Sequence, residues 1–352
     1  MKDFRELAPC GGTFTLNIQT SASGHKIYQN GISQSSPKGA AISMIACDFY
    51  GNALKVVQLG WAPGQEDQIQ PSKDHFITFL PSDTEMMFGH ECPRCKGYWR
   101  SDGMPHLWPL TCPYCGLCSP THFFLTNAHR HFLLELTNQL HEAINSDRDG
   151  DHDFRLDDVI QRVQDGESPP AYFYKEVSQQ EKFKCSLCGG INDILGRFGY
   201  CSSCGYRNNI DCVANDLKVA TAALASGGAP EAAIRNAVAA IEAAGRNYIG
   251  QLLRRVPMTR ARRKNAEAIR FHDLDRFSKV LMEIFGVDVL KDIGKDDIAF
   301  ATMMFHRRHV HEHLGSIADV KYIEKSGDKS VTIGQRIREN HENVKQFSRC
   351  IL

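Results

Sequence analysis

The chain has 352 residues, 42% of them hydrophobic, which suffices for packed cores and exceeds one ordinary domain. Formal net charge is zero but uneven: residues 213–352 hold 23 Lys and Arg against 17 Asp and Glu, leaving 18 against 24 for residues 1–212. No apolar run reaches bilayer length and Met1 to Cys10 has no apolar signal core, so a membrane span is excluded and a soluble, cytoplasmic protein is expected.

Residues 12–88 alternate apolar and polar side chains in short runs, such as Thr13–Ile18 and Ala41–Ile45, separated by Gly, Pro, Asn and Ser. That period of two predicts a small β domain over 1–88, with a hairpin turn at Tyr50-Gly51-Asn52 and a loop at Trp61-Ala62-Pro63-Gly64. His25, Asp48 and His75 are isolated there and form no constellation.

Eight of the 13 cysteines fall into two quartets of Cys-x-x-Cys pairs. Cys92, Cys95, Cys112 and Cys115 make the first (89–120), and Cys185, Cys188, Cys201 and Cys204 the second (181–212). This is zinc-ribbon spacing, and four thiolates close the coordination sphere, so two structural Zn²⁺ ions are expected, with no open position for catalytic water. Gly116, Gly189 and Gly205 each follow a second cysteine and permit a tight turn. A redox reading of the pairs would need a thioredoxin-like βαβ context, which neither neighbourhood offers. Cys118 is left over; it exchanges into the first site or is simply buried. The quartets match a reducing compartment. Whether the ribbons touch nucleic acid or act as spacers stays open.

Between the ribbons (121–180), Phe124, Leu125, Ala128, Phe132, Leu136, Leu140 and Ile144 form an apolar stripe that predicts one amphipathic helix. Asn145–Gly150 imitates the start of a calcium loop, but Leu156 stands where a bidentate glutamate belongs, so an acidic linker is expected. Ser168-Pro169-Pro170 marks a break.

Residues 213–352 predict an α-helical bundle. Pro230 opens a helix over 230–255, and Phe271, Leu274, Phe277, Leu281 and Ile284 mark a second helix before Gly286. Asp296 or Asp297 starts a third through Leu314, with Gly315 its terminator. Between the first two, Arg254, Arg255, Arg260, Arg262, Arg263 and Lys264 form a basic run without an acid, an RNA-binding candidate. A plain solvated face is the bland alternative.

The third helix carries Arg308-His309-Val310-His311-Glu312-His313. An arginine, a polar residue directly after it, and a histidine after four intervening positions, near the end of the last long helix of a bundle, resemble the HEPN family. Asp319, Tyr322 and Ser326-Gly327-Asp328 strengthen the resemblance, which covers roughly residues 213–350. It implies a metal-independent endoribonuclease in which the RNA 2′-hydroxyl attacks the adjacent phosphorus, leaving a 2′,3′-cyclic phosphate and a 5′-hydroxyl, in phage defence or toxin-like growth arrest. Arg308 suits the transition-state charge on non-bridging oxygens; His313, with His309 beside it, suits proton transfer. Five residues at 100° each put Arg308 and His313 about 140° apart around the helix, so a composite site in a homodimer is expected, as family members also dimerise. The alternatives are a non-catalytic zinc-ribbon RNA-binding or regulatory protein with a HEPN-like dimer platform, and a metal pair formed by His309 and His313 with Glu312 nearby. The expected class is thus α+β multidomain.

Overall fold

The computed structural model describes residues 4–7, 11–33, 42–48, 50–57, 76–105, 108–146, 148–163, 174–176, 180–225, 227–271 and 273–351. The expected loop at Trp61–Gly64, His75 and the Ser168–Pro170 break lie outside them. The protein is mixed α/β, with small sheets and a helical C-terminal region, and divides into two compact units, Met1–Tyr206 and Arg207–Leu352. No helix among the described residues is long and apolar enough to cross a membrane.

In the first unit, β1 (Phe4–Glu6) is followed by β2 (Thr13–Thr20), β3 (Lys26–Ser33), β4 (Ile42–Cys47), β5 (Ala53–Val57) and β6 (Phe76–Pro81). Alternation in β2 sends Phe14, Leu16 and Ile18 inward. The β4–β5 hairpin turns at Tyr50-Gly51-Asn52 as expected: Gly51 has φ +77°, and the Asp48 carboxylate accepts from the Tyr50 and Asn52 N–H groups. Then come β7 (Phe88–Glu91), β8 (Tyr98–Ser101), β9 (Leu110–Thr111), β10 (Cys118–Ser119) and α1 (Asn127–Asn145), capped by Thr126.

The stretch from Asn145 to Leu156, expected to be an acidic linker, instead ends α1 and forms β11 (Gly150–Arg155), with α2 (Leu156–Val163) directly after it. The β11 strand pairs antiparallel with β2, and its acids bond across the pair: Asp151 accepts from Asn17 and Asp153 from Thr15. Alternation explains this, since Phe154 points into the core while the acids face outward. Strands β11-β2-β3 and β5-β4-β6 form two sheets, and Phe132, Leu133 and Leu136 of α1 with Leu156, Val159 and Ile160 of α2 complete their shared core.

The remaining strands are β12 (Tyr174–Glu176), paired with β1, then β13 (Gln180–Lys184) and β14 (Ile191–Leu195). The order β13-β14-β8-β7 is one four-stranded sheet, so the two ribbons grip each other. At its centre Arg100 is fully buried, donating to Asp83 at 2.8 Å, Asp193 at 2.6 Å and Glu85 at 2.9 Å. A buried guanidinium persists only with such charge-assisted bonds.

His129 on α1 is fully buried, and burial pushes its pKa down to about 3. An unfolded histidine titrates near 6.5, so below that pH the unfolded chain binds a proton that the folded chain refuses. Stability therefore falls from pH 6.5 towards pH 3, by up to about 1.4 kcal/mol per pH unit from this group. In urea unfolding between pH 6 and 4.5, His129→Gln is expected to lose that part of the slope. An unchanged slope would show that the buried imidazole is not its source.

The second unit contains α3 (Asn209–Ala225), α4 (Pro230–Arg255), α5 (Arg260–Glu267), α6 (Leu274–Phe285), α7 (Lys295–His313), α8 (Val320–Ser326) and α9 (His341–Ile351). The α4 helix starts at Pro230 as expected and packs against α3, α7 and α9. A Cβ at Gly245 would lie 2.6 Å from the Phe271 ring, so only glycine allows this approach. Gly286 closes α6 with φ +69°. The start of α7 lies slightly ahead of expectation, with Gly294 as its N-cap and Asp296 and Asp297 in the first turn, where acids favour the helix dipole. Gly315, φ +58°, directly follows its C-cap Leu314.

Candidate functional site

All four cysteine knuckles share one turn. The residue after each second cysteine has a left-handed φ (Lys96 +58°, Gly116 +64°, Gly189 +78°, Gly205 +73°), and its N–H donates to the first cysteine's carbonyl at 2.9 Å. Three are the expected glycines; Lys96 adopts the same conformation at a cost of about 1–2 kcal/mol.

Within each quartet the sulfurs lie within 4.8 Å of one another. Cys92–Cys115 and Cys95–Cys112 are 3.6 and 3.7 Å apart, and Cys185–Cys204 and Cys188–Cys201 are both 3.6 Å apart. A disulfide needs about 2.05 Å. Four sulfurs about 2.3 Å from a central ion lie roughly 3.8 Å apart, so each quartet has the dimensions of a tetrahedral metal site. Its chemistry agrees: the hydrogen bond to Cys112 draws Cys95 down to about 5, while Cys112 is pushed up by the same bond and by burial. Thiols this close cannot all ionise unless a cation sits among them. Both clusters can therefore hold a metal ion and are compatible with zinc.

Asn192 supports the second quartet from β14. Its Nδ2 faces Cys201 Sγ at 3.5 Å, and its Oδ1 accepts from the N–H and hydroxyl of Ser202 at 2.8 and 2.6 Å. Cys118 lies on β10, exposed and outside the first quartet.

The end of α7 divides its polar residues by face. Arg307 and His311, one helical turn apart, point inward. The Arg307 guanidinium donates to Asp328 at 2.7 Å and to Glu339 at 3.2 Å, and His311 Nε2 lies 3.1 Å from Glu339. Tyr322 completes the network through its bond to Asp328. Asp319, the N-cap of α8, accepts from the Tyr322 N–H at 2.7 Å. The residues after the histidine cluster thus tie the chain following α7 back onto it.

Arg308, His309 and His313 lie on the other side. Arg308 Nη2 is 3.0 Å from Glu312 Oε2 and 4.0 Å from Glu242, and the same Glu312 oxygen is 3.5 Å from His313 Nε2. The His309 and His313 rings are 4.8 Å apart. Arg308 and His309 line a cleft of about 450 Å³; His313 does not. Within one chain, then, Glu312 holds Arg308 and His313 side by side, although only Arg308 and His309 open on the cleft. Among the described residues only the cysteine quartets gather three or more metal-ligating side chains, so His309 and His313 have no third ligand.

Of the basic run, Arg254 and Arg255 end α4, and Arg260, Arg262, Arg263 and Lys264 lie on α5, whose N-cap is Thr259. Arg263 is committed locally, donating to the Leu253 carbonyl at 2.6 Å and pairing with Glu267 at 3.7 Å. Arg260, Arg262 and Lys264 are exposed.

No protein-family model, no curated protein and no solved structure matches the chain. The functional reading therefore rests on these residues alone. Sequence reasoning missed Arg307, His311 and Glu339. The available signal was spacing: Met304, Arg307 and His311 recur at three and four residues, and Met304 is fully buried.

Proposed function

We propose that the protein is a metal-independent endoribonuclease of HEPN type, built as a homodimer and carrying two structural zinc ions in a reducing, cytoplasmic setting. The observation that supports this best is the division on α7. Arg307 and His311 are buried in a scaffold, while Arg308, His309 and His313 are held together outside it, the first two opening on a cleft. The adjacent buried network fixes the helix end, which is what a positioned proton-transfer group needs.

Arg308 stabilises charge on the non-bridging oxygens, and His313 with His309 moves the proton of the 2′-hydroxyl and leaving oxygen. A second copy of α7 brings one protomer's His313 to the other's Arg308. Phage defence or growth arrest is the biological setting that goes with such an activity.

Purified protein in magnesium-free buffer is expected to cut RNA and not DNA, leaving 2′,3′-cyclic phosphate ends. Arg308→Ala should lower the rate about 10²–10³-fold and His313→Ala about 10²–10⁴-fold. Cleavage that survives both substitutions would remove the reading.

One observation favours a second reading, a zinc-ribbon RNA-binding or regulatory protein with a helical dimer platform: Arg308 is already paired to Glu312 within its own helix. Binding without cleavage by the wild type would select it.

A further inference from the structure

The cleft beside α7 is lined by more positive charge than Arg308 supplies. Arg270, Arg276, Lys321 and Lys325 also face it, from the segment before α6, from α6 and from α8. None of these four makes an ion pair among the described residues, whereas Arg308 is held by Glu312. Three acids line the same cleft, Asp273, Asp275 and Asp319; Asp273 caps α6 by accepting from the Arg276 N–H at 3.1 Å and Asp319 caps α8, bonds that leave both carboxylates charged. The walls include Phe305, Val310 and Tyr322, all buried, with the Tyr322 hydroxyl engaged by Asp328. The cleft is a predominantly polar pocket with a cationic rim, and 450 Å³ lies in the range of small-molecule sites.

We infer that this cleft seats a phosphodiester-linked nucleotide of single-stranded RNA next to the one being cut, with Lys321, Lys325, Arg270 and Arg276 gripping its flanking phosphates. The exposed run on α5 is then peripheral. Five cations against three carboxylates leave the lining an excess of positive charge, which an anionic ligand offsets. Such a basic groove can track a sugar-phosphate backbone, as sequence-tolerant single-strand sites do. The assignment rests on the ribonuclease reading for its substrate but not for its residues.

The test uses the full-length protein in the His313→Ala background, so that RNA survives, and measures binding of a fluorescent single-stranded RNA across a salt series. Lys321→Ala with Lys325→Ala, both exposed, should weaken binding roughly tenfold and reduce the magnitude of the log–log salt slope by about 1.4, the single-strand value for two phosphate contacts. Arg260→Ala with Arg262→Ala is the comparison pair and should change binding less. In the cleaving protein the cleft pair should raise KM and leave kcat near wild type.

Unchanged binding by the cleft variant, or no binding of RNA by the parent, overturns the assignment. So does displacement of the RNA by free mononucleotide or inorganic phosphate at concentrations comparable to its own, since that would mark a site for a small free anion. If the cleft pair weakens binding but the wild type never cleaves, the cleft assignment stands and the ribonuclease reading falls. If cleavage is robust and the cleft pair has no effect on KM, the reverse holds.

Discussion

Cys112→Ser is expected to dismantle the joined ribbons while leaving the C-terminal helices folded. Cys112 is fully buried, and its sulfur sits 3.7 Å from Cys95. A serine there cannot complete a thiolate quartet, and structural zinc in small domains contributes about 10–16 kcal/mol of apparent binding energy that is also folding energy. The apolar core around the first quartet is small, essentially Trp99, Leu110, Phe124 and Ile194, and cannot substitute for it. Metal analysis should find two zinc ions per wild-type chain and one in the variant. The near-ultraviolet signal of fully buried Trp99 should collapse, while far-ultraviolet helicity persists, because most of the helix lies in the unit from Arg207 onward. A variant that keeps two equivalents of metal and the Trp99 signal would show that this quartet is not a structural site.

That prediction shows what could be read from the chain and what could not. A knuckle is local: two cysteines three apart and a residue able to take positive φ specify it, so both quartets were legible. Their union was not. It depends on β8 pairing with β14, where Arg100 lies opposite Asp193, residues far apart in sequence whose complementarity no local pattern announces. The same holds for β11, since acids on a strand's outer face and acids in a linker look alike until Asn17 and Thr15 supply partners. Helix bounds were legible at Pro230, Gly286 and Gly315 because caps are local. On α7 the spacing of Arg308 and His313 was legible, but which arginine is buried was not. Neighbouring positions differ by 100° around the helix, and Asp328 and Glu339, which decide the matter, lie beyond its end.

Arg307→Ala and Arg308→Ala, adjacent substitutions of the same kind, are expected to have opposite consequences. Arg307's side chain is 6% exposed, and its partners Asp328 and Glu339 are 1% and 0% exposed. Burial disfavours the Asp328 carboxylate, yet bonds from Ser330, Tyr322 and Arg307 hold its pKa down to about 2, so it stays ionised and needs a counter-charge. Deleting the guanidinium strands two buried carboxylates, a loss of about 3–5 kcal/mol. Lysine should rescue little, because one ammonium cannot replace the fork that reaches Asp328 through Nε and Nη2 and Glu339 through Nη1. Arg308 is 20% exposed and makes an i,i+4 pair with the partly exposed Glu312, which keeps access to water once unpaired, so its loss should cost less, about 1 kcal/mol. Thermal melts should therefore separate the variants widely, and limited proteolysis should cut Arg307→Ala between α7 and α9 while sparing Arg308→Ala. Equal melting temperatures would refute the buried network. The contrast also governs how nuclease assays are interpreted. An inactive Arg307→Ala says only that the helix end has lost its anchor, whereas an inactive but fully folded Arg308→Ala places the defect at the chemistry.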